Sequence, residues 1–116
     1  MDTKLKCIFR GKYVEIPVRK MGFFGKIKGL MFKSQRENLL FDFSSDTRIK
    51  IHSFFVFFPF LAVWLDEKNK LIEWKIVRPF TVAVSPKKPY RKLVEVPLNK
   101  KNSKIIRFFV GKETFK

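Results

Sequence analysis

The only histidine in this chain of 116 residues is His52, and Ser53 follows it directly. An imidazole with an ordinary pKa near 6.5 suits general acid or base work at neutral pH, and a hydroxyl beside it suggests nucleophilic chemistry. The adjacency argues against a direct couple, however. Successive side chains in a strand point to opposite faces, so His52 and Ser53 would diverge. With one His and the single cysteine Cys7, the chain has neither a histidine-rich nor a cysteine-rich metal set, and no intrachain disulfide can form. Cys7 precedes Ile8 and Phe9 and reads as a small core residue. The other reading is a reactive thiol, whose pKa neighbouring lysines would lower. Asp66 and Glu67 are adjacent carboxylates in a polar run and read as a solvated turn rather than a hydrolytic pair. There is no phosphate-binding GxxxxGK loop and no dinucleotide glycine fingerprint, so no cofactor is implied.

The strongest chemical signal is charge. The formal net charge is +16, carried by 19 Lys and 7 Arg against 10 acidic groups. Residues 1–36 hold ten basic and two acidic groups, residues 37–85 six of each, and residues 86–116 ten and two. Both ends are therefore +8 and the middle is neutral. Brought side by side, the ends would attract nucleic acid, anionic lipid or an acidic protein. Nucleic acid is the choice among these. The candidate anion-binding residues are Lys26, Lys28, Lys87, Lys88, Arg91, Lys100, Lys101 and Lys104. Basic groups alternate with aromatics at Phe23–Lys33 and Lys104–Lys116, a composition that could stack on single-stranded nucleic acid, but the favoured reading is that these Phe are core on an amphipathic segment.

The elements that must position these residues are mostly strands. The length suits one domain over 1–116, with a hydrophobic fraction of 46%. Lys4–Phe9 and Tyr13–Val18 alternate on either side of an Arg10-Gly11-Lys12 turn and predict a hairpin, with Val14, Ile16 and Val18 on one face. Pro17 implies that the second strand has an unpaired edge there. Residues 20–34 change to helical spacing, with Phe23, Phe24, Ile27, Leu30 and Met31 apolar and three glycines interrupting. Leu39–Phe43 predicts a short strand and Ser44-Ser45-Asp46 a turn.

The stretch Ile49–Leu65 holds five of the fifteen Phe and is the segment the rest must cover. It predicts two buried strands broken at Pro59. Its uncharged part, 53–65, falls short of the roughly 20 apolar residues a spanning helix needs, so no transmembrane span is expected. Asp66–Lys70 is a turn, Leu71–Val77 a strand pairing with 60–65, Phe80–Val84 a short apolar piece, and Lys92–Val96 another strand. Ser103 is placed as the cap of a helical turn containing Ile105 and Ile106, with Phe108–Val110 packing it down. Gly111 turns the chain into a last strand around Thr114 and Phe115. The expectation is a mainly β (α+β) chain, a compact single-domain barrel-like or sandwich sheet of about seven strands with one or two short helices. The N-terminal residues contain no apolar run of signal-peptide length, and the lone cysteine fits a reducing compartment, so a cytoplasmic location is expected. The oligomeric state is left open.

Several short strings occur in an order that resembles a known family. Gly29-Leu30-Met31-Phe32-Lys33 resembles the G-L-M-F-R signature of domain of unknown function 192. Leu39–Phe43 resembles its M-L-F-x-F strand, and Ile51-His52-Ser53 with Phe57-Phe58-Pro59 and Trp64-Leu65-Asp66 resembles its I-H-T-x-x-M-x-F-P-I-D-V-V-F-L-D segment. Val77-Arg78-Pro79, Leu93–Pro97 and Val110-Gly111-Lys112 resemble the family's later proline, V-L-E-L-P strand and V-G-D turn, so the likeness spans about 13–116. It implies a small, mostly-β domain of no established activity. Leu61, Val56 and Lys112 stand where the pattern has Asp, Met and Asp. Of the family's polar positions, Lys33, His52, Ser53 and Asp66 remain as candidate ligand-binding residues. The functional expectation is a binding module for an anionic partner. The alternatives are a small-ligand protein or enzyme with a pocket near Lys33, His52 and Ser53, or a module for a membrane surface or protein partner.

Overall fold

The computed structural model describes residues 2–21, 37–50, 58–79 and 84–111. Among them, strands β1 (Asp2–Phe9), β2 (Lys12–Lys20), β3 (Leu39–Thr47), β4 (Phe60–Leu65), β5 (Leu71–Val77) and β6 (Tyr90–Pro97) form one sheet in the order β1-β2-β3-β6-β4-β5. A 3₁₀ turn, Lys100–Asn102, leads into helix α1, Ser103–Val110. All neighbours are antiparallel except β2 and β3. The sheet curls until its ends touch, where Ile8 N–H donates to Asn69 O at 2.9 Å and Ile8 pairs with Lys70. The result is a curled half-barrel, mainly β, with a radius of gyration of 12.8 Å that matches a compact domain of this length.

The predicted hairpin forms as the alternation requires. Arg10 and Gly11 both take positive φ, 56° and 74°, the two-residue turn whose twist matches paired strands. Leu5, Cys7, Ile16 and Val18 are buried, while Lys4, Lys6, Glu15 and Arg19 are exposed. Pro17 sits where the sequence implied a gap in pairing. β2 meets β3 only at Arg19 and Lys20, with Arg19 N–H donating to Asn38 O at 2.8 Å. One rung back, Pro17 has no N–H to offer, and its carbonyl accepts from Asn38 Nδ2 at 3.0 Å instead.

β4 realises the buried run after Pro59, with all six residues buried. Leu61, Val63 and Leu65 join an inner cluster with Cys7, Ile16, Val94 and Val96, which α1 closes with Ile105, Ile106 and Phe109. Phe60, Ala62 and Trp64 join an outer cluster with Leu39, Phe41, Phe58, Val77, Tyr90 and Leu93. Strands buried on both faces lose clean alternation, which is why this part of the sequence reads as a block.

Three local expectations need correction. Ser44-Ser45-Asp46 is not a turn between strands. Ser44 takes φ 65° with its N–H on Asp42 Oδ1 at 3.0 Å, and β3 resumes pairing at Thr47–Tyr90 after a bulge. Ile49 and Lys50 belong to no strand, and Ile49 is 53% exposed. Ser103 does not cap the helix. Asn99 Oδ1 accepts from Asn102 N–H at 3.0 Å, Ser103 is the first residue of α1, and no side chain caps α1 itself. The helical spacing at 22–34, the first central strand at 51–57, most of Phe80–Val84 and the last strand at 114–115 lie outside the described residues. The described strands number six, in a single sheet rather than a sandwich.

Candidate functional site

The two basic ends pack together. Phe9 of β1 lies 6.2 Å from Phe108 and 6.1 Å from Phe109, ring centre to ring centre, and α1 covers the inner face of the β1–β2 hairpin. Hairpin, 3₁₀ turn and helix together carry ten basic and two acidic residues. All ten basic side chains are exposed: Lys4, Lys6, Arg10, Lys12, Arg19 and Lys20 from the hairpin, and Lys100, Lys101, Lys104 and Arg107 from the C-terminal turn and helix. Arg19 pairs with Glu37 at 2.9 Å. Among the described residues, Lys4, Lys12, Lys20, Lys100, Lys101 and Lys104 have no carboxylate partner. Strand alternation puts Lys4, Lys6 and Tyr13 on the outward side of the hairpin, opposite the helix. The positive charge therefore wraps the hairpin–helix unit from two sides.

The remaining anion-binding candidates do not all join this unit. Lys87 and Lys88 are exposed in the loop before β6, where Lys87 N–H donates to Glu73 Oε1 at 3.1 Å. Arg91 Nε lies 3.4 Å from Asp46 Oδ1. Lys100, Lys101 and Lys104 follow the other end of β6. An eight-residue strand, roughly 25 Å long, separates the two groups. Lys26, Lys28, Lys33, His52 and Ser53 lie outside the described residues. Asp66 is described and sits in the β4–β5 turn. Its Oδ1 accepts from Lys68 N–H at 2.8 Å and Lys70 N–H at 2.9 Å, which shapes the β4–β5 turn with Asn69 at φ 65°.

The structure adds residues that the sequence did not single out. On the outward side of the hairpin, Tyr13 is 60% exposed, pairs across the strands with Ile8, and holds the Lys6 ammonium 4.3 Å from its ring centre. Arg10 lies over Phe9 at 4.9 Å. In β6, Glu95 is 4% exposed between Leu39 of β3 and Ala62 of β4, and its Oε1 has no hydrogen-bond partner among the described residues. Burial pushes this carboxyl up to about 8. Trp64 lies on the same face, its indole beside the Tyr90 ring. Tyr90 completes the group. Its ring meets Trp64 edge-on at 6.3 Å, and its hydroxyl donates to Ile49 O at 2.6 Å. Burial pushes the Tyr90 phenol up to about 12, with the nearby indole pulling the other way. The signal for Glu95 was available in Leu93-Val94-Glu95-Val96, one acid in an apolar strand. Tyr13 had no such signal, because its exposure depends on which hairpin face the helix covers.

Cys7 is fully buried, and burial pushes its thiol up to about 12, outweighing the nearby Lys92 ammonium. It is a core residue and a poor nucleophile. Among the described residues no group of three or more His, Cys, Asp or Glu side chains gathers as a metal site, and no helix is long and apolar enough to cross a membrane.

No protein-family model and no curated protein matches the chain. Its fold does have solved counterparts. It superposes on a protein of unknown function from Novosphingobium aromaticivorans DSM 12444 with a TM-score of 0.71 at 10% identity, covering 90% of this chain and 78% of that one. It also superposes on a protein from Sinorhizobium meliloti 1021 described as a "putative transcription regulator", with a TM-score of 0.70 at 13% identity, covering 83% of this chain and 79% of that one. At such identities these proteins share a fold with this chain, and only the fold carries over.

Proposed function

We propose that the chain is a small binding module for an anionic partner, with nucleic acid the favoured partner. The observation that carries this reading is the packing of α1 on the β1–β2 hairpin. It gathers ten exposed Lys and Arg with two acids onto one structural unit. The other described residues carry ten basic groups against seven acidic. The concentration of charge at the ends thus survives folding, and most of it has no internal use. The preponderance of Lys favours point-charge contacts to phosphates over bidentate base readout. The Sinorhizobium meliloti protein's description leans the same way. Fluorescence anisotropy with a labelled oligonucleotide tests the proposal. Affinity should fall by orders of magnitude between about 50 and 200 mM salt. No binding at the low-salt end would overturn the reading.

Membership of domain of unknown function 192 is likewise our proposal. It is supported by the order of the matching strings and by where several of them fall: Leu39–Phe43 on β3, Trp64-Leu65-Asp66 at the end of β4, and Leu93–Pro97 on β6. Leu61, where that pattern has an acid, is fully buried in the inner cluster, so an acid there would face the core. A second functional reading, a small-ligand site, has one observation in its favour. Among the described residues, Glu95 Oε1 is an unpartnered acceptor on the buried face it shares with Trp64 and Tyr90.

A further inference from the structure

We infer that the outward face of the hairpin, centred on Tyr13, is a stacking platform for single-stranded nucleic acid. This rests on the proposed anionic partner and assigns its class. Three residues line up across neighbouring strands. Tyr13 of β2 is opposite Ile8 of β1, and Ile8 is bridged to Lys70, just before β5. Partners in a ladder share a face, so the row presents an exposed phenol ring, a half-buried aliphatic side chain and an exposed ammonium. Lys6 sits over the Tyr13 ring and Lys4 lies further along the same face, whereas Lys12 and Arg10 accompany Phe9 on the helix side. Glu15, opposite Lys6, is the acid on this face, and an aromatic residue left 60% exposed between Lys6 and Lys70 is placed to meet a partner rather than the core.

Single strands need this combination: a π-face for an unstacked base, and cations spaced to meet the phosphates on either side of it. The Lys6 ammonium is held on the ring by the attraction between cation and quadrupole. A base arriving at Tyr13 replaces that contact and frees Lys6 for the adjacent phosphate. A duplex keeps its bases stacked on each other, so it meets only the cations and gains nothing from the ring. The two basic and aromatic stretches visible in the sequence, Phe23–Lys33 and Lys104–Lys116, are not this platform. Within the second, Phe109 is buried and Phe108 packs on Phe9.

The test uses the full chain and labelled oligonucleotides of about 12 nucleotides, single-stranded and duplex, at low salt. Tyr13→Ala should weaken single-strand binding by about 5- to 150-fold and leave duplex binding within about twofold. Tyr13→Phe should behave as the unsubstituted chain. Tyr13 is exposed, so both variants should keep the fold, which circular dichroism checks. If single strand and duplex bind equally and Tyr13→Ala changes neither, the platform is wrong while the anionic partner stands. If neither binds, the proposed partner falls, and this inference with it.

Discussion

Glu95 has an apolar strand neighbour on each side and, among the described residues, no partner for Oε1, so its ionisation opposes folding. In the folded chain its pKa is about 8, against about 4.5 for an unperturbed glutamate. The folded state therefore holds the proton more tightly. The stabilisation this proton provides is complete below about pH 4.5 and is lost as pH rises through about 8. The full difference corresponds to at most roughly 5 kcal/mol. Glu95→Gln removes the titration while keeping the shape. Denaturant unfolding across this pH range should show the variant gaining on the unsubstituted chain with each unit of pH and levelling off above pH 8. A constant gap would mean that Glu95 finds a charge partner in solution. Cys7 gives a second residue-scale prediction. With its thiol pushed up to about 12 and no exposed surface, it should resist a disulfide reagent in the native state at pH 8 and react at once in denaturant. Both residues were visible in the sequence as types. What could not be read was their setting, because a lone Glu between valines looks the same whether its face is wet or dry.

At the scale of elements, α1 is the joint between the two basic ends. Ile106 is fully buried and Phe109 nearly so, both among hairpin residues. Ile106→Ala should cost about 2–4 kcal/mol, measured by denaturant unfolding. Asn102→Ala should cost a further 1–2 kcal/mol or so by leaving Pro97 O, now bonded to Asn102 Nδ2 at 2.8 Å, without a donor. Gly111→Ala should cost about 1 kcal/mol because φ is 87° at the helix end. The hairpin, the β4–β5 pair and β6 were legible because each carries a local signal: alternation, a turn residue or a proline. The bulge at Ser44 was not. Ser-Ser-Asp is common in turns, and only the resumption of pairing at Thr47–Tyr90, a long-range contact, keeps the strand going. The true cap, Asn99, was missed for a related reason. Ser103 and Asn99 are both good caps, and the 3₁₀ turn between them decides which is used.

The charge asymmetry of the whole molecule was legible from residue counts alone, but its consequence depends on topology. Curling the sheet brings β1 to the start of β5, and α1 returns across the inner face of the hairpin. Those two closures turn a basic N-terminus and a basic C-terminus into one unit. They also leave Lys87 and Lys88 at the far end of β6, which the sequence grouped with Lys100 and Lys101. Lys100, Lys101 and Lys104 are exposed and have no carboxylate partner among the described residues, so they can be removed without disturbing the core. The most direct measurement is therefore the salt dependence of single-strand binding by the intact chain and by the variant with all three changed to Ala. The variant should bind more weakly at low salt, and its log–log salt slope should be shallower by about 2, the loss of three phosphate contacts. An unchanged affinity and slope, in a variant that unfolds like the unsubstituted chain, would contradict the assignment of the joined basic ends as the binding surface.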